Sequence, residues 1–295
     1  MKKYLLIILV FVVMVLSACN QSEVETVETV ETSSTAFEYT VLNECVTITG
    51  LIDQSLTEII IPKSIEGFLV TSIGEYAFSE CSGLSSISIP DSVTNIGEGA
   101  FGHCSGLSSI SIPDSVSNIG DAAFYECSGL SSISIPTSLA EISGYTFYGC
   151  NSLNCISIPN NVVSIRQSAF AGCSSLSSVS IPAGVKDIYS GAFEDCTGLN
   201  SISMPDSVTH IAGSVFKGCI SLSNIIIPSG VTVIGEEAFA GCTSLSSITI
   251  PAGVCMISDS AFDDCNNLSS IVVMSGSYAE QWVKKNIGYD KLVVE

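Results

Sequence analysis

Cysteine is the residue whose spacing most invites chemistry. The 295-residue chain carries 13, and nine of them, from Cys81 to Cys265, follow one another at intervals of 23. Thiolates in such number could bind a metal or close disulfides. A metal needs ligands that converge on a point, whereas equally spaced residues of a repeating chain fall on a line. Equivalent side chains of neighbouring coils also point in parallel, which suits stacking better than bridging, and nine is odd. The nine are therefore expected to act as small, buried apolar fillers. Cys155 and Cys255 fall on outward positions, four coils apart, and are expected to be free thiols.

Other chemistry has little to work with. The chain has two histidines, one arginine and one tryptophan. His103 and His210 are not equivalent in the repeat, so no serine–histidine–aspartate arrangement can be drawn from them. Acids recur at Glu75, Glu98, Asp121, Glu236 and Asp259, and again at Asp91, Asp114 and Asp206. Their spacing lacks the dense alternation of a calcium loop, and they are expected to be solvated turn residues. Catalytic residues, metal and cofactor are each expected to be absent. Acids outnumber bases 29 to 9 for a net charge of −20, and binding to nucleic acid needs the opposite balance.

What remains is recognition. Tyr125 and Tyr148 follow a repeated Phe in neighbouring coils, and Tyr145 sits close by. Arg166 and Tyr189 occupy one equivalent position in successive coils, where a cation–π contact can form. Lys186 and Lys217 lie in the same region. These tyrosines and Arg166 form one candidate ligand patch. The other is a row of outward serines, Ser86 and Ser88, Ser109 and Ser111, Ser132 and Ser134, continuing through Cys155 and Ser157 toward Asn224 and Ile226. That face carries no Tyr, Trp or Arg anchor of the kind that dominates tight protein interfaces.

These residues are positioned by a repeat. Phe recurs every 23 residues from Phe78 to Phe262, Leu from Leu84 to Leu268, and Pro from Pro90 to Pro251. One copy, Leu84 to Gly106, reads LSSISIPDSVTNIGEGAFGHCSG. Ile87 and Ile89 flank a serine, the alternation of a short strand with one face inward. Pro90 ends the strand, because it lacks an N–H and fixes φ. Pro and Gly leave no room for a long helix. A unit this small cannot bury its own apolar stripe, but stacked copies bury each other's. Equivalent strands then pair in parallel at about 4.8 Å per coil.

The pattern Leu84-x-x-Ile87-x-Ile89-Pro90, followed by Val93, Ile96, Ala100-Phe101 and Cys104, resembles the leucine-rich repeat. More closely it is similar to the 23-residue, Treponema-type repeat of BspA-like bacterial surface proteins. The resemblance implies a leucine-rich-repeat solenoid with the parallel sheet on its concave face and short turns or 3-10 segments on the convex side. Repeats are expected over 78–273. Residues 37–77 are expected to form an N-terminal cap and first irregular repeat, with a hairpin turning at Asn43-Glu44. Residues 274–295 are expected to form a C-terminal cap, with a short helix opened by Ser277 that lays Trp282 over the last coil.

The N-terminus reads as an address. Lys2 and Lys3 precede an apolar run from Tyr4 to Leu16, the plan of an export signal over 1–18. Leu16-Ser17-Ala18-Cys19 resembles the lipobox of bacterial lipoproteins, which implies acylation of Cys19. Residues 19–36, with their repeated Val-Glu-Thr, are expected to be a disordered tether. The expected protein is thus extracytoplasmic, lipid-anchored to the bacterial envelope at the outer membrane or cell surface, and touches membrane through that anchor only. It is expected not to be an enzyme. The family resemblance implies an adhesin-like role toward extracellular-matrix or cell-surface proteins. A self-associating surface scaffold and a glycan-binding envelope lipoprotein are the alternatives.

Overall fold

The computed structural model describes residues 31–295; the leader, Cys19 and the tether up to residue 30 lie outside the described residues. The described chain winds into a stack of 23-residue coils held by two series of parallel strands. The first series contains the Ser-Ile-Ser segments. Glu58–Ile60, Ser86–Ser88, Ser109–Ser111 and Ser132–Ser134 form one parallel sheet. In Ser86–Ser88 and Ser109–Ser111 the central Ile is buried and both serines are exposed, as the alternation requires.

The second series starts nine residues further along each coil and was not expected from the sequence. Its strands are only two residues long, such as Asn95–Ile96 and Asn118–Ile119, paired in parallel and in register. Each contributes one buried Ile. The side of the coil expected to hold turns or 3-10 segments is built of turns. The two 3-10 segments among the described residues, Ser34–Ala36 and Tyr289–Lys291, lie at the ends of the stack.

The core is a set of columns that run through the coils. The Phe rings from Phe78 to Phe262 stack with centroids 5.3–6.0 Å apart and planes within 21°. An inserted residue would push one ring out of the column, which is why the period admits none. The Cys column runs beside it. Each thiol from Cys104 onward donates to the carbonyl of the Phe 26 residues earlier, at 3.0–3.2 Å. The cysteines are thus buried fillers as expected, and each also joins its coil to the preceding one. Burial pushes the thiol pKa of Cys150 and Cys196 up to about 12.

Both ends are closed by aromatic residues. Phe37–Leu42 and Cys45–Leu51 pair antiparallel, with Asn43 and Glu44 both at positive φ, as a two-residue hairpin turn demands. Phe37 from this hairpin meets Phe78 edge-on at 6.5 Å. At the other end Ser277 accepts from the Glu280 N–H and starts the helix Tyr278–Asn286. Trp282 from that helix lies 5.9 Å from Phe262. Leu292–Val294 then adds a last parallel strand to Ser270–Val273.

Two expectations need correction. The folded unit begins before residue 37: the Thr32 N–H bonds the Ile60 carbonyl, Thr32 Oγ1 accepts from the Ile60 N–H, and Ser33 caps the 3-10 turn Ser34–Ala36. The first strand series is also interrupted at Cys155 and Ser157, whose coil keeps only the second-series strand Ser164–Ile165. There the link from Asn154 N–H to the Ser131 carbonyl stretches to 3.4 Å, where the same link one coil earlier is 2.9 Å. The sheet resumes with Ser178–Ser180.

Candidate functional site

The residue after each core Phe is itself a column, reading Gly102, Tyr125, Tyr148, Ala171, Glu194 and Lys217 along the stack. Because Phe124 and Phe147 are stacked inside, Tyr125 and Tyr148 are carried into register outside. Their rings lie 4.9 Å apart with planes 5° from parallel. Tyr145 joins them at 6.1 Å from Tyr148. His103 packs edge-on against Tyr125 at 5.4 Å, and its Nδ1 lies 3.2 Å from Glu126 Oε2.

Two residues after the Phe comes a second column: His103, Glu126, Gly149, Gly172 and Asp195. Every one of these has positive φ, from 52° to 73°. Most residues pay strain there, and Gly149 and Gly172 do not. Their missing side chains, with the small Ala171, open a groove of about 570 Å³ across five coils. His103, Glu126 and Tyr148 line one side, and Glu194 and Asp195 the other. Burial and the neighbouring Asp195 raise the carboxyl pKa of Glu194.

Arg166 and Tyr189 are placed by the two-residue strands. Ile165 pairs with Ile188, so the residues that follow them are neighbours, and the guanidinium carbon sits 5.1 Å from the Tyr189 ring centroid. Arg166 Nε also donates to Glu141 Oε2 at 2.9 Å. Tyr145, Arg166 and Tyr189 share a smaller groove beside the first. The five candidate residues of the tyrosine patch therefore lie in one run of adjacent coils. Lys186 lines a cavity with Tyr189 and His210, whereas Lys217 is held by Glu237 at 2.6 Å.

The serine candidates are also in register, with Ser88 against Ser111, and Ser109 and Ser111 against Ser132 and Ser134. They lie on a different segment of the repeat from the tyrosines and form a uniform hydroxyl face. Its outlier is Ile226, whose side chain is 83% exposed. The turn acids do more than meet solvent: Asp114 Oδ1 accepts from the Thr137 N–H and hydroxyl, and Asp206 does the same for Ser229 one coil on. Glu126, Glu141 and the two groove glycines were not singled out in the sequence, and His103 was considered there only for catalysis. The signal lay in reading equivalent positions down the stack, where glycines interrupt a column of larger residues.

A stack of this kind, with invariant columns inside and varied rungs outside, is a leucine-rich-repeat solenoid. The family described as "BspA type leucine rich repeat region" matches residues 52–177 and 163–281, and the chain belongs to that family. Among solved structures it is similar to a leucine-rich-repeat protein of T. pallidum, TpLRR. The two are 30% identical over 73% of this chain and 90% of that one, with a TM-score of 0.51. A leucine-rich cell surface protein from Faecalibacterium prausnitzii is 26% identical over 86% of this chain and 97% of its own, with a TM-score of 0.40. No curated protein matches the chain.

Proposed function

We propose that this is a surface-displayed, adhesin-like binding protein whose tyrosine-lined coils recognise a protein ligand such as an extracellular-matrix or cell-surface protein. The observation that carries the reading is local irregularity on a regular scaffold. Over the coils from His103 to Asp195, aromatic rings, an arginine and carboxylates replace the small residues of the repeat and surround an open groove. Tyrosine and arginine are the side chains most often found at the energetic centre of protein interfaces. The export signal and lipobox-like Cys19 fit display outside the cytoplasm, as does the family.

The test is binding of the purified chain, at physiological salt, to immobilised matrix proteins, to glycans and to itself. Saturable binding to a protein ligand is the expected result. Self-association alone, rising with concentration, would instead support a surface scaffold. Binding to glycans alone would support an envelope lectin.

A further inference from the structure

We propose that the groove takes the guanidinium group of an arginine presented by a basic protein segment, held between the ring of Tyr148 and the carboxylates of Glu194 and Asp195. This rests on the binding-protein reading above and names the chemistry of its partner. Tyr125 covers one face of Tyr148. The opposite face looks along the column to Ala171 in the next coil and to Glu194 in the coil after that. Two coil steps span about 10 Å. A flat group in van der Waals contact on both sides needs about 7 Å. The tyrosine column thus lacks one ring, and the base of the gap is the buried Ala171 and the half-buried Gly172.

The walls select the occupant. An uncharged ring would stack on Tyr148 but leave the two carboxylates with only Lys217 of the next rung nearby, whose ammonium is bonded to Glu237. An ammonium would answer the carboxylates but has no flat face. A guanidinium does both, since it stacks on aromatic rings and donates in a fork to carboxylate. The molecule already makes this contact once within itself. Arg166 lies between Glu141 of the preceding coil, at 2.9 Å, and the Tyr189 ring of the following coil, at 5.1 Å. Glu194 and Asp195 make no such ion pair within the molecule, although Lys217 on the next rung lies near both. The four ion pairs among the described residues are His103–Glu126, Arg166–Glu141, Lys217–Glu237 and Lys284–Glu280, and none uses either residue. The net charge of −20 draws a basic segment toward the groove.

The experiment compares dye-labelled tetra-arginine and tetra-lysine peptides, equal in charge, by fluorescence anisotropy with the full chain at physiological ionic strength. Tetra-arginine is expected to bind about tenfold more tightly, the size of one cation–π contact in a partly desolvated site. Tyr148→Ser is expected to bring the ratio close to one. Ala171→Tyr places a third ring where the two preceding coils already carry Tyr, so the backbone accepts it. That variant is expected to remain folded, read by circular dichroism, and to lose the arginine preference. Equal affinities in the wild-type chain, binding of neither peptide, or a preference that survives both substitutions overturns the proposal. Saturable binding of the chain to an immobilised protein in any of those cases leaves the binding-protein reading standing. Arginine preference without any protein ligand would overturn that reading alone.

Discussion

Each cysteine of the column does two things, filling a small space and donating one hydrogen bond to the coil before it. Cys196→Ala removes the sulfur and leaves the Phe170 carbonyl with one donor fewer, and is expected to cost about 1–2 kcal/mol in urea unfolding. Cys196→Ser keeps a donor and separates the two contributions. Burial raises the thiol pKa along the column, so these groups stay protonated and inert at neutral pH. Among the described cysteines only Cys45, Cys155 and Cys255 are exposed. Alkylation of the native chain read by mass spectrometry is expected to mark these three and spare the column, and a bridge between Cys155 and Cys255 would contradict the coil spacing. Glu194 carries a pH signature. Burial raises its carboxyl pKa, so its ionised form is disfavoured in the folded chain. Both states are protonated below the ordinary value of about 4.3, so the penalty exists only above it. Glu194→Gln is therefore expected to raise the melting temperature at pH 7, with the gain vanishing as the pH falls below 4.

The elements are short because each is stabilised by its neighbours rather than by itself. The C-terminal helix is the exception, and it depends on its cap. Ser277→Ala removes the acceptor for the Glu280 N–H and is expected to cost about 1 kcal/mol, measured by chemical denaturation. Glu280 accepts from Lys284 and from the Gly276 N–H, which lowers its carboxyl pKa. That stabilisation is present above the ordinary carboxylate range and is lost on acidification. How legible these elements are in the sequence depends on whether a column or a single coil specifies them. The Ser-Ile-Ser strands, the Asn43-Glu44 hairpin and the Ser277 helix were readable, because alternation, turn residues and a capping residue are local signals. The Asn95–Ile96 series was not, since two residues carry no period and pair only because the coils bring them together. The break at Cys155 was equally hidden, because the sequence there still alternates. The groove was invisible along the chain for a related reason. Tyr148, Ala171 and Glu194 are 23 residues apart in sequence and adjacent only in the stack.

Across the whole molecule, the core columns and the proposed recognition patch use different positions of the same repeat. Phe, Cys, Leu and Ile columns run unbroken and hold the coils in register. The rungs between them vary without cost to the core, and over the coils from His103 to Asp195 they vary together. Phe170→Ala in the middle of the stack is expected to cost about 3–5 kcal/mol and to uncouple the two halves, seen as a second transition in thermal unfolding. Substitutions on the tyrosine rungs should leave unfolding nearly unchanged, because those rings lie outside the columns. This patch is the proposed contact with the ligand. The measurement that tests it most directly is the affinity of the triple variant Tyr125→Ser, Tyr145→Ser, Tyr148→Ser for whichever immobilised protein the unaltered chain binds. The variant is expected to keep its melting temperature and to lose at least about tenfold in affinity, the size expected for buried interface tyrosines. Undiminished binding by a folded variant would contradict it.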